Sequence, residues 1–305
     1  MCSTKRSSHS KVFTSHVVAH QELCRDHLRL TLVVSASLNA VPGQFVHIGP
    51  HVAEAAAEGQ RQSAATGGTA APVPFLRRAF SIAGLHRSPD RSRIELIYRV
   101  RGAGTGWMSR LREGDLVDGI GPLGHGFDAP PENAVAWLVA GGVGLPPLLW
   151  FAQQLSGNRR RAVFFLGARS SDFIALDIAP SGDTITAREL PAVPVVLATD
   201  DGSIGLQGTV VDALEAHARS HEPNSGDVVV YTCGPEVMMR SVAEFCDSRG
   251  LRCQACMERA MACGIGTCQS CVVPVADASD TDGWRYALCC TEGPVFDAKE
   301  VLWDR

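Results

Sequence analysis

The sequence predicts an antiparallel β-barrel, then a parallel-sheet α/β domain, then a small cysteine-rich module. Three observations predict it. From about Lys11 to Asp128 the chain runs in short extended segments broken by turn residues. From Ala134 to Gly250 apolar strand-like runs alternate with helical ones, and after Gly250 seven of the eleven cysteines crowd between Cys253 and Cys290. The expected boundaries are 11–130, 131–250 and 251–305.

The first region reads KVFTSHVVAH, LRLTLVVS, GQFVHIGP, RAFSIAGL and RIELIYRV. Period-two alternation, β-branched residues and Pro-Gly or Gly-Pro breaks are the marks of short strands that close on themselves. Between Val52 and Pro72 the chain is rich in Ala, Gly, Ser and Gln and poor in bulky apolar residues, so it reads as a mobile surface insertion. In the second region VAWLVAGG, AVFFLGA, VPVVLATDDG and DVVVYTCG are buried-strand runs. They alternate with the helical stretches GLPPLLWFAQQL, TVVDALEAHARS and EVMMRSVAEFCDSRG, the pattern of an open parallel sheet covered on both faces. Ligands on such sheets sit outside the carboxyl ends of the strands, which here read GGVG, LGARSS, ATDDGS and TCGPE.

Composition narrows the function classes. A chain of 305 residues has room for two domains and an appendage. Its 45% hydrophobic and 20% charged residues are ordinary for a globular protein, and a net charge of -4 gives no footprint for nucleic acid. The opening MCSTKRSSHS is polar and no run of eighteen apolar residues follows, so the expectation is a soluble, cytoplasmic protein with no membrane span. Without a secretory signal, local crowding of cysteines favours metal ligation over a disulfide framework.

The cysteines carry the sharpest signal. Cys263, Cys268 and Cys271 stand at C-x4-C-x2-C, and Cys290 follows after eighteen residues. This is the ligand pattern of a plant-type [2Fe–2S] cluster. Gly264 and Gly266 let the loop wrap closely and aim amides at sulfur. Two C-x2-C pairs, Cys253/Cys256 and Cys268/Cys271, offer zinc as an alternative, one that leaves Cys263 and Cys290 idle. In the barrel region Arg78-Ala79-Phe80-Ser81 places a guanidinium three residues before a hydroxyl on an extended segment, suited to a pyrophosphate and a ring. Ile97, Tyr98 and Arg99 supply an aromatic wall, and Gly104-Thr105 belongs to a glycine-rich turn at a helix start. Gly141, Gly142 and Gly144 form a turn that lets the backbone approach a pyrophosphate. Asp200-Asp201 after a strand offers either a ribose contact or a helix-start acid pair, and the second reading is favoured. The histidines show no ligand spacing and read as surface or turn residues, and no triad supports hydrolysis.

Over roughly residues 12 to 250 the chain resembles the ferredoxin reductase superfamily. RAFS is similar to its R-x-[FY]-S flavin signature, VPGQFV to its ring-contacting strand, GPLGHGF to the strand closing the barrel, GGVGLPPLL to the nicotinamide-side turn and YTCGPEVMM to its C-G-P motif. The resemblance implies FAD on the barrel, NAD on the α/β domain, and Cys233 near the nicotinamide. With the compact MERAMACGIGTCQSCVV, WRYALCCTEGPVF and VLWD, the whole chain resembles the electron transfer subunits of heterodimeric, NAD-linked dihydroorotate dehydrogenases. Matching their G-P-V-F ends makes Cys290 the fourth ligand and Cys289 its neighbour, and Ala79 stands where proline is frequent. The resemblance implies electron flow from an FMN-containing catalytic subunit that oxidises dihydroorotate, through [2Fe–2S] and FAD, to NAD+. The alternatives are a related NAD(P)H-linked subunit serving a ferredoxin or a hydrogenase and, from another class, a zinc-binding or iron–sulfur sensor protein.

Overall fold

The computed structural model describes residues 11–51, 74–181, 184–221, 223 and 226–305. The expected insertion from Val52 to Pro72 lies outside the described residues. Strands β1 (Lys11–Cys24), β2 (His27–Val34), β3 (Phe45–Pro50), β4 (Arg78–Arg87), β5 (Ser92–Arg99) and β6 (Leu116–Leu123) close into a barrel in the order β1-β2-β5-β4-β3-β6. Alternation decides what fills it. On β5, Ile94, Leu96 and Tyr98 point inward against Leu30, Leu32, Ile48 and Ile82, each aliphatic burial contributing roughly 1.5–3 kcal/mol. Ile97, set between two of them, points outward into the core of the next domain. Two buried hydroxyls are satisfied within the wall: Ser15 donates to the Val117 carbonyl at 3.0 Å and Ser92 accepts from the Leu38 amide at 2.8 Å. A short helix α1 (Ala103–Met108) follows β5 and packs Met108 into the barrel core.

The α/β region is built from β7 (Val135–Gly141), α2 (Leu145–Gly157), β8 (Ala162–Ala168), β9 (Ile178–Ser181), β10 (Thr184–Ala187), β11 (Leu190–Thr199), β12 (Leu206–Gln207), α3 (Val210–His221), β13 (Val228–Cys233) and α4 (Glu236–Ser248). Its continuous apolar strands divide their side chains between two faces. Trp137 and Val139 of β7 join α3 and α4 on one face, while Ala136, Leu138 and Ala140 join α2 on the other. Pro146 and Pro147 open α2, where proline lacks only amides that have no intrahelical partner.

The sheet runs on past Gly250. Strand β14 (Arg252–Cys256) pairs in parallel with β13, and β17 (Val295–Asp297) pairs antiparallel with β14. The remaining strands, β15 (Val272–Ala276) and β16 (Trp284–Leu288), form a separate antiparallel ribbon. Val273, Val275 and Ala287 of this ribbon share a core with α4 and with Phe45 and Leu123 of the barrel. The module thus bridges both domains. Its GPVF segment meets the barrel where the His125 amide donates to the Gly293 carbonyl at 2.6 Å, and the Met257 amide donates to the Pro294 carbonyl at 2.8 Å. Arg259 grips Glu236, at the start of α4, through two bonds of 2.9 and 3.0 Å. Barrel, parallel sheet and cysteine module are the three parts expected. Among the described residues no helix is long and apolar enough to cross a membrane.

Candidate functional site

The β15–β16 ribbon explains the gap before the last cysteine. Val272 lies opposite Leu288, so the residues just outside the ribbon, Cys271 and the pair Cys289-Cys290, come side by side. The Cys289 amide donates to the Cys271 carbonyl at 2.8 Å, and the Cys290 amide points at the Cys271 sulfur at 3.4 Å. On the preceding loop the amides of Ile265 and Cys268 point at the Cys263 sulfur at 3.5 and 3.4 Å. Amides aimed at sulfur favour thiolate. Cys268 is exposed, and hydrogen bonds from Ser270 and Cys263 hold its thiol down to about 6. Burial, with the Cys271 thiol beside it, pushes Cys290 up to about 12. Cys289 turns the other way: its buried thiol donates to the Met257 carbonyl at 3.4 Å, and burial pushes it well up.

The two candidate zinc knuckles do not converge. Cys253 is hydrogen-bonded to Cys246, and Cys256 to Cys233, while Cys268 stands at the surface. Among the described residues no three His, Cys, Asp or Glu side chains are drawn together as a single-ion site.

The cluster loop rests on the barrel. Gly264 adopts a left-handed φ of +72°, and a Cβ there would come within 2.9 Å of the His47 ring. His47 stands on β3 opposite Ala79 of β4, and Phe45 opposite Ser81. These four outward positions form the wall under the loop. The expectation that the histidines are surface or turn residues is corrected here: His47 is 1% exposed, because the cysteine loop covers it. Its Nε2 has no hydrogen-bond partner among the described residues. Burial, with the charges of Arg77 and Arg78, holds the imidazole down to about 4, so it is neutral.

The remaining barrel candidates divide. Arg78 is exposed and lies across Gly104, where a Cβ would stand 3.1 Å from its Cγ and 3.2 Å from its Nε. Its Nη1 donates to the carbonyls of Leu76 and Arg77 at 2.8 and 3.2 Å. Thr105 takes the amides of Arg101 and Gly102 on its hydroxyl at 2.9 and 3.2 Å, so those two amides are already used. Arg78, Gly104 and Thr105 are thereby brought together. Phe80 turns toward Tyr98, ring centroids 5.9 Å apart and nearly perpendicular. Tyr98 sits inside the barrel, its hydroxyl 2.8 Å from His20 Nε2, because the alternation of β5 puts that face inward. The aromatic wall expected from Tyr98 therefore faces the barrel interior.

At the carboxyl ends of β7, β8, β11 and β13 lies a cleft of about 490 Å³, lined on the sheet side by Gly141, Gly142 and Thr209 and on the barrel side by His27, Arg99 and Arg101. Gly144 packs so closely on the next motif that a Cβ would land on the Cys233 carbonyl. The GGVG and CGP turns are thus nested. Cys233 is buried, and its bond to Cys256 together with burial raises its thiol, leaving it neutral. Arg99 and Arg169 stack on the Phe173 ring at 5.0 and 5.2 Å from its centroid, giving the cleft a cationic flank. Glu258, exposed at the surface, lines the cleft too.

Arg169, Phe173 and Glu258 escape the motif reading. Only the position of Arg169, one residue beyond a buried strand, carries a signal. Asp200 also lines the cleft, whereas Asp201 holds a turn by accepting from the Ser203 amide and hydroxyl at 2.9 and 2.6 Å. The helix start expected there is instead at Val210, capped by Thr209, which donates twice to Asp212 at 2.7 Å.

Residues 258–302 match the family model of the iron–sulfur cluster binding domain of dihydroorotate dehydrogenase B, and residues 138–244 match that of the oxidoreductase NAD-binding domain. A dihydroorotate dehydrogenase B (NAD(+)) electron transfer subunit of Geobacillus thermodenitrificans is 36% identical over 292 residues, covering 94% of this chain and 96% of its own. The chain belongs to the dihydroorotate dehydrogenase B electron transfer subunit family. A second member, from Desulforamulus reducens, is 33% identical over 87% of this chain and 88% of its own. Among solved structures, a chain of the NADH-dependent reduced ferredoxin-NADP oxidoreductase shares the fold, with a TM-score of 0.70 and 24% identity, covering 95% of this chain and 90% of that one.

This family member's residues fit the groups such a subunit needs. Four thiols stand at the ends of one ribbon and loop with amides aimed at two of the sulfurs, and an unpaired buried imidazole faces that loop. A glycine-floored cleft with a cationic flank fits a dinucleotide.

Proposed function

We propose that this chain is the electron transfer subunit of a two-subunit, NAD-linked dihydroorotate dehydrogenase, accepting electrons from an FMN-containing catalytic subunit and delivering them to NAD+. The observation that carries the reading is the seating of the cysteine loop, through Gly264 and His47, on the same barrel wall that carries Ala79 and Ser81. One continuous packed path thus joins the loop to the strand with the flavin signature. The relatives' name, electron transfer subunit, implies a separate catalytic subunit, and the reading takes that subunit as this chain's partner.

FAD, when held here, would supply two-electron exchange with the nicotinamide and one-electron exchange with the cluster. The chain's residues hold and orient. Cys263, Cys268, Cys271 and Cys290 are the cluster ligands. Arg78 supplies charge to the flavin pyrophosphate beside Gly104 and Thr105, and Ser81 offers its hydroxyl at the outer face of β4. Gly141 and Gly142 floor the NAD cleft, Gly144 behind them lets the GGVG turn nest on Cys233, and Arg99 and Arg169 face the phosphates. Cys233 stays a neutral thiol that packs the nicotinamide end without adding charge. The exposed side of the loop, at Ile265 and Cys268, is the face that meets the catalytic subunit.

In the complex with its catalytic subunit, Cys268→Ser is expected to abolish dihydroorotate-driven NADH formation while NADH still reduces the FAD. Undiminished NADH formation by that variant would contradict the proposal.

A further inference from the structure

We propose that Glu258 binds the nicotinamide of NAD, its carboxylate accepting the carboxamide N–H and its charge favouring the pyridinium of NAD+ over the uncharged ring of NADH. The inference rests on the NAD reading above and goes beyond it, because it draws a residue of the cysteine module into the coenzyme site.

The charges of the cleft run in an order that fits a dinucleotide. Along the sheet the strands follow as β14, β13, β7, β8 and β11. Glu258 lines the cleft beyond β14, Arg169 beyond β8 and Asp200 beyond β11, while Arg99 and Arg101 face the strand ends from the barrel. The two acids thus stand four strand spacings apart, each about 4.8 Å, with cations between them. Anionic phosphates suit the middle, and the acidic ends suit groups that donate hydrogen bonds. The flavin-signature strand decides which end is which. Its wall, formed with β3, lies under the cysteine loop, and that loop begins at Cys263, five residues after Glu258. Hydride transfer brings ring to ring, so the nicotinamide takes the β13–β14 end.

Glu258 is firmly mounted there. The amide of Met257 before it donates to the Pro294 carbonyl at 2.8 Å, and the Met257 carbonyl accepts the Cys289 thiol at 3.4 Å. Arg259 after it donates to the Val272 carbonyl at 3.1 Å and to both carboxylate oxygens of Glu236. With Met257 buried in the core and Arg259 tied to α4, Glu258 between them is left exposed in the cleft. No hydrogen bond or ion pair engages its carboxylate among the described residues. Its charge reaches Cys233 at the end of β13, where, after the bond to Cys256 and burial, it helps to raise the thiol. The nicotinamide ring carries its hydrogen-bond donors on the carboxamide, and an ionised carboxylate only accepts.

The test is rapid-mixing reduction of the FAD in the purified holoprotein by NADH, with NAD+ and ADP-ribose as inhibitors and FAD and iron quantified. ADP-ribose lacks the nicotinamide and so reports on the rest of the cleft. Glu258→Gln keeps an acceptor oxygen and removes the charge. Inhibition by NAD+ is expected to weaken roughly five- to tenfold in this variant, while the half-saturating NADH concentration changes much less. Glu258→Ala removes the acceptor too and should weaken NADH as well. ADP-ribose should inhibit the wild type and both variants equally. Unchanged NAD+ inhibition in both variants would overturn the inference. So would a Gln variant that weakens NAD+ and NADH by the same factor, or a loss shared by ADP-ribose. A wild-type protein whose FAD is not reduced by NADH would instead remove the NAD reading itself.

Discussion

Cys289 and Cys290 are adjacent in the chain and face opposite ways: Cys290 stands against Cys271 at the open end of the ribbon, while Cys289 donates into the core to the Met257 carbonyl. Successive residues leaving a strand point to opposite faces, so only one of the pair can reach the loop. Cys290→Ser is expected to lose iron and visible cluster absorption. Cys289→Ser should keep both and lose about 1–3 kcal/mol of stability for a disturbed buried contact. Iron content and thermal melting of the two purified variants check this.

Gly144 is nested on the Cys233 carbonyl, with no space for a side chain. Gly144→Ala must push the two turns apart, a change of the kind that costs about 1–3 kcal/mol. NADH reduction of the FAD in this variant should fall at least tenfold while FAD and iron contents stay at wild-type levels. Rapid-mixing absorbance with NADH measures it.

Arg78 lies over Gly104 with part of its guanidinium free for an anion. If it pairs with the flavin pyrophosphate, Arg78→Ala forfeits a charged hydrogen bond of about 1.5–3 kcal/mol. Every 1.4 kcal/mol is tenfold, so FAD affinity should weaken roughly 10- to 100-fold. Fluorescence of released flavin on dilution reports it.

His217 packs against Trp137 and Phe165, each at 5.2 Å between centroids, and stacks on His221 at 3.9 Å. Burial, then the neighbouring His221, lowers its pKa from the usual value of 6.5. The folded state therefore binds fewer protons at this position than the unfolded chain, and stability falls as pH drops below about 6.5. His217→Phe should flatten the decline of melting temperature between neutral pH and that range. Calorimetry of the wild type and variant across the same buffers decides it.

Much of the architecture was legible because its strands are extreme. VAWLVAG and DVVVYTC are apolar enough to declare a strand buried on both faces, and the carboxyl-end rule then located the cleft before any side chain was placed. What escaped has specific causes. Strand β14 reads RCQAC, and its cysteines drew attention to metal chemistry although one bonds Cys246 and the other Cys233. Period two tells which residues share a face but not which face is inside, so Tyr98 read as a wall and lies in the core. His47 was invisible for the complementary reason: it faces outward on a barrel strand and is buried only because a loop more than two hundred residues later covers it. Glu258 carries no spacing signal, since what makes it a cleft residue is the order of strands in the sheet, whereas Arg169 stood in a strand end already marked as ligand-facing.

The measurement that tests the account most directly is EPR of the purified subunit, kept anaerobic and mixed with excess NADH, with FAD and iron quantified in the same sample. The account predicts that the flavin absorbance bleaches and the signal of a reduced [2Fe–2S] cluster appears, and that Cys268→Ser loses the second response but not the first. A colourless protein holding zinc, or a flavin that reduces beside a loaded cluster that never does, would contradict it.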